Sequence, residues 1–303
     1  PAGDQAPNLL VRKKSEGRMD KLRGLSRTQE LGRRIANAFD DVARVIEQDI
    51  RSDVPLVHRV ERFDVPGRKV TDAEYARAKK MLEGLGPASR VTIIPGNHDA
   101  YVEDALDRPL LEWADYMVSD GVTIRAGEAA AVNAIFPSLR VRAGVALIGV
   151  TTAQPCSAFL AVGCVGDNQL QRLEKILTET GQKGLFRIVL IHHPPKSGVV
   201  SWRKRLTDAE AFQKTIHDCG AELILHGHSH HQSQTYLETA GGRIPVIGVP
   251  SASAAGKNFK RRARYHLYHL SSRTDDWDIH VCVRGYDKED QRFGIEDEYH
   301  LAD

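Results

Sequence analysis

Cysteine is scarce: the 303 residues hold four, Cys156, Cys164, Cys219 and Cys282, and no two are spaced as Cys-x-x-Cys. Cys219 and Cys282 sit inside apolar periodic segments. Reduced, buried thiols are the expectation, and with them a cytoplasmic location. No run of about 18 apolar residues occurs, so no membrane-spanning helix is expected. Residues 1–20 are polar with no apolar centre, and do not read as a secretory signal. Charge of one sign is also missing; the formal net charge of +2 argues neither for nor against an anionic partner. There is no internal repeat and no low-complexity linker. The Gly-rich turns, Gly163-Cys164-Val165-Gly166-Asp167 among them, lack a phosphate-loop pattern. Asp167 reads as the cap of the helix after it. Basic clusters at Arg203-Lys204-Arg205 and Lys257 to Arg264 lack interleaved aromatic residues for base stacking. They read as solvated faces, and nucleic acid is disfavoured as a partner.

What is present is ordinary soluble composition, 41% hydrophobic and 27% charged. A single domain over 1–303 is expected, with an atypical N-terminal region at 1–70 and a C-terminal hairpin and tail at 257–303. Leu31, Ile35, Phe39, Val42, Ile46 and Ile50 recur at three- and four-residue steps, one apolar helical stripe. Residues 53–70 are broken by Pro55, Pro66, Gly67 and many charges, and no strand is expected there. Thr71-Asp72-Ala73-Glu74 is a capping box opening a helix to about Gly84. Val91-Thr92-Ile93-Ile94 reads as a short buried strand, followed by a helix-like stretch near Leu110 to Val118. Segments 121–125 and 139–150 are β-rich. Ile188 to Ile191 is a second buried strand, between a helix from Asp167 and one opened by a second capping box, Thr207-Asp208-Ala209-Glu210. A strand at 244–249 and a hairpin of Tyr265–Leu270 with Trp277–Val283 complete the pattern. Tyr268 and Trp277 on that hairpin read as core or dimer contacts, so a homodimer is an open expectation. Strands alternating with helices imply a layered α/β sheet.

The densest chemistry follows Leu223-Ile224-Leu225, a short apolar run that reads as a strand covered on both faces. Four histidines stand in the six residues His226 to His231. In an extended segment His228 and His230 would point to one side, and neutral imidazole is the commonest transition-metal ligand. A histidine-rich surface loop is the bland alternative. Two other strands weigh against it, because they also end in metal-competent residues: Asn97-His98-Asp99 and His192-His193. In open α/β sheets the loops beyond strand ends converge on one crevice.

Gly96-Asn97-His98-Asp99, His192-His193-Pro194-Pro195 and Gly227-His228-Ser229-His230, in that order, resemble the last three motifs of the calcineurin-like metallophosphoesterase superfamily. The resemblance covers roughly residues 72–285. The His-His-Pro-Pro form and the layout are similar to the cyclic-nucleotide phosphodiesterase and glycerophosphodiesterase branch. It implies a two-sheet β-sandwich flanked by helices, an αββα arrangement, and a dinuclear site of Fe, Mn or Zn. It further implies that Asn97, His192 and His228 ligate one metal and His230 the other. His98 would contact the scissile phosphate and help the leaving group depart, with Asp99 orienting it. Of the adjacent pair, His192 is expected as ligand because it comes first off the strand, and His193 as its support. His226 would pack beneath the site and His231 on its rim.

The implied reaction is hydrolysis of a phosphodiester or phosphomonoester on a small substrate. Two metals about 3.5–4 Å apart would hold a hydroxide for in-line attack and clamp the phosphate oxygens. His98 as imidazolium would donate to the departing alkoxide. Two earlier family motifs, Asp-x-His and Gly-Asp, have no counterpart; Asp278-Ile279-His280 falls too late and Gly3-Asp4 too early. Three explanations stand open. The chain is cut or altered upstream of residue 70, or substitutes such as Asp4, Asp53, His58 or Asp64 complete the site. Otherwise the protein is a degenerate metal-binding or ligand-sensing member with weak or no catalysis.

Overall fold

The computed structural model describes residues 22–46, 71–100, 113–122, 135–157, 160–254, 262–272 and 277–301. The chain divides into two compact units, Pro1–Arg68 and Lys69–Asp303. In the first, helix α1 (Arg27–Ile46) follows the expected period. Of the apolar stripe, Ile35, Phe39 and Val42 are exposed, and Ile50 lies outside the described residues. The helix is tied near its start by buried Glu30, whose carboxylate accepts from Arg33 Nη2 at 2.7 Å and Arg34 Nε at 3.0 Å.

The second unit opens with α2 (Asp72–Leu85), whose capping box at Thr71 and Glu74 forms as expected. Strands β1 (Ser138–Arg142) and β2 (Val145–Val150) make a hairpin. Its two-residue turn needs positive φ, supplied by Ala143 at 46° and Gly144 at 83°. Helix α3 (Asp167–Gln182), β3 (Phe186–Ile191), α4 (Ala209–Cys219) and β4 (Leu223–His226) follow. Then come β5 (Ser233–Thr239) and β6 (Gly242–Gly248). The sheet order is β1-β2-β3-β4-β6-β5, with β2, β3, β4 and β6 parallel and an antiparallel strand at each edge. A second sheet orders β7 (Arg264–Ser272), β8 (Trp277–Asp287) and β9 (Arg292–Leu301) antiparallel.

The apolar runs read as buried on both faces are so, and alternation sorts their side chains. Val189, Ile191 and Ile224 face the core shared with α3 and α4, where Leu173, Leu177, Phe212 and Ile216 are wholly covered. Phe186, Ile188 and Leu223 face the second sheet, against Ile279, Val281 and Val283. Each such side chain contributes roughly 1.5–3 kcal/mol relative to exposure, which fixes strand register and so the positions of the strand ends. Tyr268 and Trp277 settle as core residues between the sheets, Trp277 edge-on to Phe186 at 5.0 Å. The result is a mixed α/β sandwich, a six-stranded sheet against a separate three-stranded one with helices, consistent with the metallophosphoesterase fold.

Several local expectations are corrected. Val91–Ile94 is not a ladder strand; it is held by Ile93 N–H to Tyr116 O at 3.0 Å and by Arg140 Nη1 to Val91 O at 2.8 Å. Near Leu110–Val118 the described part begins with helical Trp113 and continues into a 3₁₀ turn, Ala114–Tyr116, and residues 110–112 lie outside the described residues. Gly121 and Val122 form no strand, and 123–125 are outside them too. The second capping box does not form. Asp208 instead accepts from the N–H groups of Val165 at 2.9 Å and Gly166 at 2.8 Å, at the start of α3. The cap of α3 is therefore Gly166, not Asp167. Strands β5 and β9 were not anticipated, because their solvent-facing residues are polar and leave little apolar alternation.

Candidate metal centre

Three of the expected residues meet at one atom. Oδ1 of Asn97 lies 2.8 Å from Nε2 of His192 and 3.1 Å from Nδ1 of His228. They are 95 and 131 residues apart in sequence. Each arrives by a different route. His192 is the first residue past β3, and His228 lies two past β4, at the same end of two parallel neighbours. Asn97 opens the 3₁₀ turn Asn97–Asp99 after the irregular segment from Arg90.

Glycines make room for the histidines. A Cβ at Gly96 would stand 2.7 Å from Cε1 of His192, and one at Gly163 would overlap the ring of His193 at 2.2 Å. The φ of Gly96, −104°, suits any residue, so space rather than conformation calls for glycine there.

His193, fully buried, turns the other way, and both its ring nitrogens are used. Nδ1 lies 2.6 Å from Thr152 Oγ1 and Nε2 3.1 Å from the Ala161 carbonyl. Its ring packs 4.3 Å from that of His228 and edge-on to that of His192 at 5.1 Å. His193 is thus a wall for the pair. Thr152 and Ala161 were not singled out in the sequence, and Gly163 only as part of a Gly-rich turn; no motif marks their part here.

The loop after β4 departs from expectation. It is not extended: His228 and His230 hold left-handed backbone, φ 61° and 57°, a conformation that costs non-glycine residues roughly 1–2 kcal/mol each. The two imidazoles consequently part. His228 is buried, while His230 is exposed, though close enough to His192 to bear on its protonation. His98 is exposed on the 3₁₀ turn. Asp99 accepts from Gly96 N–H at 2.8 Å; burial raises its pKa, and that backbone bond and nearby His98 oppose the rise. His226 is buried at the end of β4 beneath the loop, and His231 is tied to Ser229 O at 2.8 Å.

Burial sets the charge state. It presses His192 down to about 3, helped by His193, His98, His230 and His226. It brings His228 to about 3 as well, with His193, His192 and Lys204 adding to the effect. Both are neutral near pH 7, the form that ligates metals. Nε2 of His228 is buried without a well-formed hydrogen bond, although the Lys204 backbone lies near enough to oppose the fall in pKa.

These three donors fit an ion. Ligands about 2.0–2.2 Å from one metal lie roughly 3 Å from each other, and the separations from Asn97 Oδ1 are 2.8 and 3.1 Å. Two neutral imidazoles and an amide oxygen suit a borderline transition metal better than calcium or magnesium. Among the described residues no group of three His, Cys, Asp or Glu side chains is set to hold an ion, so no carboxylate cage accompanies the trio. Asp4, Asp53, His58 and Asp64 lie outside the described residues.

A family model described as calcineurin-like phosphoesterase matches residues 64–232, more than half of the chain. The chain belongs to that family. Metal-dependent hydrolysis of phosphate esters is the family's chemistry, with divalent ions, generally two. No curated protein matches. Among solved structures, a dimetal phosphatase from Danio rerio matches at 15% identity with a TM-score of 0.32, over 46% of this chain and 38% of that one. Among the described residues no helix is long and apolar enough to cross a membrane.

Proposed function

We propose that this chain is itself a metal-dependent phosphoesterase acting on a small phosphodiester or phosphomonoester. The observation that carries the reading is the convergence of His192 Nε2 and His228 Nδ1 on Asn97 Oδ1. These three residues would hold one ion, of iron, manganese or zinc. His230, exposed beside them, would serve the second. A bound ion supplies Lewis-acid stabilisation of the charge that builds on phosphoryl oxygens. His98, at the open rim, would hold a proton at the leaving-group oxygen, with Asp99 fixing the turn that carries it. His193, braced by Thr152, keeps the two ligand rings apart and excludes water from behind them. The exposed Arg203-Lys204-Arg205 cluster sits near His228 through Lys204, a position that favours arrival of an anionic ester. The cyclic-nucleotide or glycerophosphodiester class remains the proposed substrate range, and the free state of all four cysteines fits the proposed cytoplasmic location.

A second reading has one observation in its favour: among the described residues no group of three His, Cys, Asp or Glu side chains is set to hold an ion. On that reading the fold binds metal or ligand and catalysis is weak or lost. Elemental analysis with turnover of bis-p-nitrophenyl phosphate separates the two. Two ions per chain with turnover support the enzyme. One ion or none, without turnover of that diester or of the monoester p-nitrophenyl phosphate, supports the alternative and ends the first reading.

A further inference from the structure

On the second sheet three histidines stand in a single cross-strand row. His269 of β7 is the register partner of His280 of β8, and His280 is the partner of His300 of β9. Directly paired residues on antiparallel strands project to the same face. Here it is the face away from the sandwich core, since the neighbours Leu270, Ile279 and Leu301 point inward. The rings follow that register, with centroids 5.7 Å apart for His269 and His280 and 4.9 Å for His280 and His300. His269 and His300 are exposed and His280 half-buried. None of the three supports the core, and none belongs to the centre at the strand ends of the six-stranded sheet.

A fourth group points to ligation. Nδ1 of His300 lies 3.0 Å from Oδ1 of Asp278, two residues before His280 on the same face. A carboxylate on one ring nitrogen fixes the tautomer and turns the other nitrogen outward as a better donor, the arrangement common behind metal-ligating histidines. The outer strands are roughly 10 Å apart, a span two imidazoles close by leaning over the central one. Among the described residues no three such donors are yet gathered on one point, so the exposed ring of His269 has to rotate towards the other two while Asp278 keeps His300 in place. Rotating an exposed side chain between staggered wells is an inexpensive motion.

We propose that His269, His280 and His300 form a surface site for a divalent transition-metal ion of imidazole preference, such as Zn²⁺, with Asp278 orienting His300. The site is independent of the centre at Asn97. The test is calorimetric titration of the metal-stripped full chain with Zn²⁺ at about pH 8, above the ordinary imidazole range. His280→Ala is expected to abolish one binding step and exposed His300→Ala to abolish or sharply weaken the same step. Asp278→Asn should weaken it about tenfold. His192→Ala should leave it in place while removing a different step. If His280→Ala and His300→Ala both titrate as the parent does, the proposal is overturned. It is equally overturned if the only step lost in any variant is the one His192→Ala removes. Because His300 lies on the open face, its variant keeps the test valid should His280→Ala fail to fold.

Discussion

Nη1 of Arg140 donates to the carbonyl of Val91 at 2.8 Å, 49 residues away in sequence. The same guanidinium donates to the carbonyls of Ala88, Asp115 and Val118. Arg140 is 4% exposed, on the edge strand β1. It does for the segment 88–96 what ladder hydrogen bonds would do for a strand, and that segment delivers Asn97 to the histidines. A charge so buried is tolerated because its donors are met by carbonyl dipoles.

Arg140→Met therefore has an effect out of proportion to its distance from the site. It keeps apolar bulk but leaves four carbonyls without their donor. Each orphaned buried acceptor costs roughly 1–3 kcal/mol, softened where water enters, so a loss of about 3 kcal/mol is expected in urea denaturation. Metal affinity should fall with it, because Asn97 loses its support. A variant as stable as the parent, with unchanged metal content, would show that Arg140 holds nothing in place.

Gly96→Ala tests the crowding at the centre. The new methyl would stand 2.7 Å from Cε1 and 2.9 Å from Nδ1 of His192. His192 has little room to retreat, with His193 and His228 each 5.1 Å away ring to ring. Overpacking of this kind costs typically about 1–3 kcal/mol, and displacement of the ring should lower metal content measured by elemental analysis. Full metal content in the variant would mean that the ring of His192 is free to move.

How far the sequence leads is visible in this same neighbourhood. Asn97, His192 and His228 were legible because motif order carries them, and their convergence follows from parallel strands ending side by side. Apolar runs of four to six residues revealed β3 and β4, since both faces of each are covered. Val91–Ile94 looks like those runs, yet it joins no ladder and is stitched by a side chain, which no periodicity announces. The opposite fates of His228 and His230 were illegible for a related reason. Spacing of two predicts one side only if the backbone is extended, and here two left-handed residues break that rule. The His269-His280-His300 row was hidden because it depends on the register of three strands, one of which was not anticipated.

Acid should destabilise the protein through the second sheet. His266 on β7 is held down to about 4, chiefly by burial and then by the charge of Arg264, and its Nδ1 contacts the Tyr268 hydroxyl at 3.1 Å. In the unfolded chain an imidazole titrates near about 6.5. The folded state thus stays neutral where the unfolded state gains a proton. Stability is full above about pH 6.5 and falls as pH drops towards about 4, by at most about 3 kcal/mol from this group. Buried His192, His193 and His228 push in the same direction, so the comparison needed is between the parent and His266→Leu. The leucine variant should show a shallower loss of stability between pH 6.5 and 4 in urea titrations. Equal slopes would rule out His266 as a contributor.

Ligation and proton donation make opposite demands on the two neighbours in the 3₁₀ turn, and replacing each in turn distinguishes them. Asn97→Ala removes the oxygen shared by His192 and His228, so metal content should collapse and hydrolysis with it. His98→Ala leaves that oxygen, the rings of His192 and His228 and the turn in place, since Asp99 still accepts from Gly96 N–H. Metal content should then stay close to that of the parent while turnover of bis-p-nitrophenyl phosphate falls about 10²–10⁴-fold, the usual worth of a positioned acid. The defect should shrink on an ester whose leaving group needs no proton. If His98→Ala loses metal in step with activity, His98 acts as a ligand or a support and its assignment as proton donor fails. If it loses neither, leaving-group departure in this protein does not depend on that imidazole.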